Sequence, residues 1–153
     1  MHGTSAHAAR PDTGHDALEA ATRLLNELYK YRDSLQLRTS AISGITSPSL
    51  VVGMINGGIN TNVVPDEVTL RLDRRIIPEE IPETVEAELR AVIEQALHGL
   101  PGIRGEVKRI LLASPFKPVG DAARLRDVLC AEASAALGLS LIHISEPTRL
   151  RRI

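Results

Sequence analysis

Three short stretches of this 153-residue chain set hydrogen-bonding side chains among loop-forming residues. The first, Gly3-Thr4-Ser5-Ala6-His7-Ala8-Ala9-Arg10-Pro11, carries an imidazole, which always has an N–H to offer a negative oxygen. The second, Gly57-Gly58-Ile59-Asn60-Thr61-Asn62-Val63-Val64-Pro65-Asp66, centres on Asn62. Its carboxamide has two donors and an acceptor and suits a carboxylate beside an amide. The third, Asp73-Arg74-Arg75, presents guanidinium forks able to clamp a carboxylate in two parallel bonds. Each residue also has a plainer reading. A lone histidine in such a loop is a surface or capping group, and Asn62 can serve loop backbone groups. Arg74 and Arg75 can be solvated strand ends, and the sequence leaves open which of them points inward. His2, His15 and Asp16 fit no tight metal-ligand spacing, so all three are expected in solvent.

The elements that must carry these stretches follow from periodicity. Ala17, Leu18, Ala21, Leu24, Leu25 and Leu28 recur at three- and four-residue steps, which predicts a helix over about 15–29. Asp16 and Glu19 suit its positive end. Ser49 to Asn56 is rich in Val and Ile and reads as a strand, broken by Gly57-Gly58. Val68, Leu70 and Leu72 alternate with Thr69, Arg71 and Asp73, the period of two of a half-buried strand. A second helix is expected from about Pro82 to His98, with Val85, Leu89, Val92, Ile93, Ala96 and Leu97 on its apolar face. Pro82 suits its first turn, and Gly99 and Pro101 end it. Residues 103–112 read as a last strand, and the motif around His7 as the end of a first one. The order strand, helix, strand, strand, helix, strand predicts an α+β, ferredoxin-like βαββαβ fold: a four-stranded antiparallel sheet with two helices on one face. Ser114–Pro118 reads as a linker, and Asp121 to Leu137 as a helix with nothing after it to pack on.

In order and at this spacing, the three stretches resemble the lid of the metallopeptidase family that includes acetylornithine deacetylase, succinyl-diaminopimelate desuccinylase and carboxypeptidase G. That lid runs G-x-x-A-H-A, then G-G-x-x-x-N-x-V-P-D, then D-x-R. The likeness spans residues 1–112 and, more loosely, 113–138. It implies a lid that pairs with a second copy to form a homodimer and closes over small N-acyl amino acids or peptides. The histidine matched by His7 reaches the partner subunit's site and donates to the oxyanion as zinc-bound hydroxide attacks the amide. Asn62 and Arg75 match residues that hold the substrate's polar end. The family's catalytic half holds two zinc ions through an H-x-D strand end, a Glu-Glu pair and later ligands. This chain has no H-x-D, and Glu79-Glu80 sits where the family keeps no ligands, so it reads as helix-flanking acids. No cofactor is expected on this chain, and by itself it should not turn over.

Composition narrows the alternatives. One Phe, two Tyr and no Trp leave no stacking platform for bases, and a formal net charge of -1 gives no field for phosphate backbones or anionic lipid. Neither nucleic acid nor membrane is an expected partner, and a cytoplasmic parent is expected. The single cysteine, Cys130, excludes an internal disulfide and reads as a buried, inert thiol. The eleven residues from Leu139 to Arg149 resemble a translated sequencing adapter, so 139–153 is expected to be a non-biological tail. The N-terminus reads as internal, since His2-Gly3-Thr4 begins in mid-motif. The competing reading is a free-standing ferredoxin-like module, dimerising through a sheet edge to bind a ligand or partner; fold alone does not decide between the two.

Overall fold

The structure, a computed structural model, describes residues 1–42, 46–113 and 120–137. The expected linker at Ser114–Pro118 and the tail at 139–153 lie outside the described residues. The chain divides into two units, Met1–Pro115 and Phe116–Ile153. In the second, the described element is helix α3, Ala122–Leu137. It leaves Leu125, Val128 and Leu129 exposed, and Cys130 is a half-buried free thiol.

In the first unit, helix α1 covers Ala17–Leu35, two residues later at its start and six further at its end than periodicity predicts. Asp16 caps it: Oδ1 accepts from the Leu18 N–H at 2.7 Å and the Glu19 N–H at 3.1 Å. Strands β1, Ser49–Gly57, and β2, Val68–Arg75, follow, and then α2, Pro82–Leu97. The two strands pair antiparallel from Ser49↔Arg75 to Gly57↔Val68. The register slips once between Val52 and Met54, leaving Gly53 as the extra residue of a bulge. β2 alternates as its sequence predicts, with Thr69, Arg71, Asp73 and Arg75 outward and Val68, Leu70, Leu72 and Arg74 inward.

Both helices share one core with the inward strand residues. Leu24, Leu28 and Leu35 of α1 meet Leu50 of β1 and Ile93 of α2, ringed by Val52, Leu70, Leu72, Leu89 and Leu97. Leu28 and Leu35 are fully buried, each contributing about 1.5–3 kcal/mol of apolar transfer. Leu18, placed on the apolar face by periodicity, is 45% exposed. The stripe that packs passes through Ala17, Ala20, Ala21, Leu24, Leu28 and Leu35.

Among the described residues the sheet has two strands, and the expected first and fourth strands are reduced to single bridges. His2 bridges Glu67 on one side and Arg104 on the other, both antiparallel. Residues 106–112 carry no strand pairing. That segment turns to α2 instead: Arg90 Nη1 donates to the Val107 carbonyl at 3.4 Å, and Arg109 pairs with Glu86 at 2.6 Å.

The far end of β2 is fixed by charge. Arg74, 5% exposed, pairs through Nη2 with Glu80 at 2.6 Å, and Glu80 is itself 8% exposed. Arg38, beyond α1, reaches Glu80 at 2.9 Å and Glu88 of α2 at 2.8 Å. Tyr31 donates to Glu88 at 3.1 Å, and the Arg74 guanidinium lies 5.9 Å from the Tyr31 ring centre. Burial of the Glu80 carboxyl opposes its ionisation. Hydrogen bonds from Arg74, Arg38 and the Ile77 N–H outweigh that, holding it below the usual glutamate range. Glu80 is therefore not a helix-flanking acid but the joint of α1, β2 and α2.

Two outcomes follow. Because the folded state holds Glu80's proton less readily than the unfolded chain, the pair's contribution is complete above about pH 4.3 and lost as pH falls through the lower folded value. Urea unfolding across that window should show the loss in the wild type and a flatter acid limb in Glu80→Gln; parallel limbs would contradict the assignment. Arg74→Ala should cost about 3 kcal/mol by stripping a buried partner from Glu80. Arg75→Ala, whose side chain is 78% exposed, should change stability by less than about 0.5 kcal/mol. Equal losses would mean that the wrong arginine is read as buried.

Candidate functional site

His7 sits in a loop that the backbone stitches down on both flanks. The Val64 N–H donates to the Ala6 carbonyl at 2.8 Å and the Ala8 N–H to the Asn62 carbonyl at 2.9 Å, a bridge that opposes His7 to Val63. The same seam runs back to the strand: Gly3 N–H to Asp66 carbonyl at 2.7 Å, and Val68 N–H to Met1 carbonyl at 3.0 Å. Arg10 N–H closes a turn onto the His7 carbonyl at 2.8 Å, and Pro11–Thr13 continue as a short 3-10 helix. Satisfying these backbone groups fixes where the motif residues stand.

The imidazole is exposed, and its protonation pattern is set locally. Nδ1 accepts from the Ala9 N–H at 3.1 Å, so in the neutral ring Nε2 carries the proton and presents a donor to solvent. Asn62 is exposed in the turn facing it, and its backbone carbonyl accepts the Ala8 N–H. The structure thus brings His7 and Asn62 together at one end of the unit. The sequence reading missed the Ala9 N–H that selects the tautomer; the turn-rich Arg10-Pro11-Asp12 that folds Ala9 back is its only trace.

Arg75 lies elsewhere. It ends β2, pairs with Ser49 across the ladder and holds Asp73 at 3.0 Å, with both side chains largely in solvent. The length of β2, roughly 23 Å at about 3.3 Å per residue, separates it from the loop end. Which arginine faces inward is now decided. Arg74 points inward and is held by Glu80 and by the Arg75 carbonyl, its Nε buried without a partner, whereas Arg75 points to solvent with Asp73 as its ion-pair partner.

Two sequence expectations need correcting. His15 and Asp16, expected in solvent, are half-buried: Asp16 is drawn in as the cap of α1, and the His15 ring lies against Gly102. Among the described residues no group of three or more His, Cys, Asp or Glu side chains is placed to hold a metal ion. The described residues therefore do not fit the zinc pair implied by the resemblance, and the arrangement can bind, orient and donate hydrogen bonds. No helix of the described residues is long and apolar enough to cross a membrane.

Comparison with known proteins identifies the family and the fold. Residues 1–100 fit the family model described as peptidase dimerisation domain. Over 95 residues the chain is 33% identical to N-acetyl-L-cysteine deacetylase of Bacillus subtilis (strain 168), covering 62% of this chain and 21% of that protein. Over 110 residues it is 28% identical to acetylornithine deacetylase of Myxococcus xanthus, covering 71% of this chain and 29% of that protein. In three dimensions it is similar to aminopeptidase PepT from Bacillus cereus ATCC 10987. The TM-score is 0.55 at 22% identity, over 88% of this chain and 33% of that one. The chain thus spans less than a third of the relatives it matches. With the family model covering its motif loops, both strands and both helices of the first unit, the chain belongs to the peptidase dimerisation domain family.

Proposed function

We propose that residues 1–112 act as the dimerising lid of a zinc-dependent amide hydrolase, in which His7 donates a hydrogen bond to the oxyanion formed at a partner subunit's substrate. The observation that carries this is an exposed histidine whose Nδ1 accepts the Ala9 N–H, which in the neutral ring leaves the proton on Nε2 and suits the side chain to act as a donor. The zinc pair belongs to a catalytic part not found among the described residues. On this chain the work is binding and orientation. Deacetylases among the relatives support N-acyl amino acids or related amides as the substrate class.

The length of β2 adds a requirement. A small N-acyl amino acid cannot touch Asn62 and Arg75 of one copy, because a whole strand lies between them. If all three residues serve one substrate, His7 and Asn62 come from one subunit and Arg75 from the other. Two copies would join through the outer edge of β1, which has no partner among the described residues and exposes Val51, Met54 and Ile55. The two bridges of His2 support a four-stranded, ferredoxin-like order in which His2 stands for the first strand and Arg104 for the fourth. We further propose a linker and the start of a catalytic segment at 113–138, and a non-biological tail at 139–153. The free-standing module leaves His7, so prepared, without a task.

The test is a graft of residues 1–112 in place of the matching segment of the Myxococcus acetylornithine deacetylase. His7→Ala should cut its turnover about a hundred- to a thousand-fold, as loss of an oxyanion donor does. Mixing His7→Ala with Arg75→Ala protomers should restore activity to roughly a quarter of the unsubstituted graft. Random pairing makes about half the dimers mixed, and each mixed dimer rebuilds one intact site. No restoration would place both residues in one subunit's site. The ungrafted chain with added zinc should hydrolyse no N-acetyl amino acid, and turnover there would overturn the division of labour.

A further inference from the structure

We infer that His15 is a positioning residue for His7: its ring, wedged against Gly102, holds the base of the loop that carries the donor. The inference rests on the role of His7 proposed above, but the geometry behind it is independent of that role. Thr4 and His15 exchange two backbone hydrogen bonds, Thr4 N–H to His15 carbonyl at 3.0 Å and His15 N–H to Thr4 carbonyl at 2.9 Å. They close a ten-residue excursion, 5–14, with His7 inside it. Whatever fixes His15 therefore fixes the neck of that loop.

The ring is fixed by a glycine. A Cβ on Gly102 would lie 2.3 Å from both Cγ and Cδ2 of His15 and 2.5 Å from Nδ1, so the imidazole rests flat on the bare Cα. Gly102 has φ +69, a left-handed conformation that glycine adopts without strain. The platform does not depend on the ring. His2 and Arg104 exchange two hydrogen bonds of 2.8 Å, and Ile103 N–H closes a turn on Leu100 at 3.4 Å. The turn after α2 is thus anchored on its own, and the ring transmits its position to the loop.

The polarity of the imidazole is not what keeps it there. Nδ1 of His15 is buried without a hydrogen-bond partner, an arrangement that disfavours a polar ring at this place. Its shape is what the site uses: a flat face matched to a residue with no side chain. A phenyl ring supplies the same face without the orphaned nitrogen, so His15→Phe should keep the loop in place. Alanine removes the wedge and leaves the neck held by its two backbone bonds alone.

The experiment uses the 153-residue chain itself, without metal or substrate, and reads two reporters on His7. One is the exchange rate of the Ala9 amide, protected by donating to His7 Nδ1; the other is the pair of ring nitrogen shifts at about pH 8, above the ordinary histidine range. Expected is about tenfold faster Ala9 exchange in His15→Ala, the change that about 1.4 kcal/mol of lost local ordering produces, with ring shifts moving toward mixed tautomers. His15→Phe should match the wild type on both. Gly102→Ala should behave like His15→Ala. Gly99→Ala supplies the control, because Gly99 has φ +76 and no atom within 4 Å of its would-be Cβ. It carries the same backbone strain without the collision. Unchanged reporters in a folded His15→Ala would overturn the inference, and so would equal effects of Gly102→Ala and Gly99→Ala. If His15→Ala does not fold, the two glycine variants decide alone. None of these readings depends on whether His7 meets a substrate, so this inference and the proposed function can fail separately.

Discussion

The run of backbone hydrogen bonds between residues 1–8 and 62–68 is the constraint on which the candidate site depends. Neither segment is a ladder strand over most of its length, and the apolar burial between them rests on Met1, Val64 and Val68. What pairs them is the need of each buried or half-buried N–H and C=O to find a partner. Once Val68 bonds to Met1 and Val64 to Ala6, His7 and Asn62 have no freedom to part. The site is thus a consequence of main-chain accounting. The two side chains that the proposed reading makes functional have one structural hydrogen bond between them, that of His7 with Ala9.

The opposite end of β2 is solved by the opposite means. There the joint is ionic and buried, with Glu80 receiving two arginines from separate parts of the chain. A buried ion pair is seldom a large net source of stability, since desolvation offsets most of the attraction, but breaking it is expensive. Its effect is selective: it fixes one arrangement of β2, α1 and α2 and withdraws Arg74 from solvent. Arg75, one residue on, points the other way because a strand alternates faces. The inward arginine serves the fold, and on the proposed reading the outward one is the residue that meets a ligand.

Local pattern made some of this legible and long-range pairing hid the rest. The alternation from Val68 to Asp73 and the spacing of Val85 and Ile93 each state their own burial, and both elements stand within a residue or two of where the sequence places them. The end of α1 was not readable, because Lys30, Tyr31, Arg32 and Asp33 interrupt the apolar stripe before Leu35 closes it. Glu80 looked like a helix-flanking acid because its partner Arg38 is 42 residues away. His15 looked solvated because nothing near it in sequence announces that Gly102 will lie beneath it. The outer strands were readable as strand-like sequence, but among the described residues they pair through isolated bridges rather than ladders. For the site, motif spacing pointed to the paired loops, whereas the distance to Arg75 followed only from a folded β2.

That distance gives β2 a mechanical meaning on the proposed reading. An eight-residue strand locked at one end by a backbone seam and at the other by a buried ion pair is a stiff spacer. In a symmetric dimer, a spacer of fixed length places the His7 end of each copy and the Arg75 end of its partner by a single geometric relation, repeated twice by the two-fold axis. Neither site could then drift without the other. A donor worth two to three orders of magnitude in rate tolerates little misplacement. Rigidity in the lid, rather than any reactive group of its own, is then what this domain contributes to catalysis.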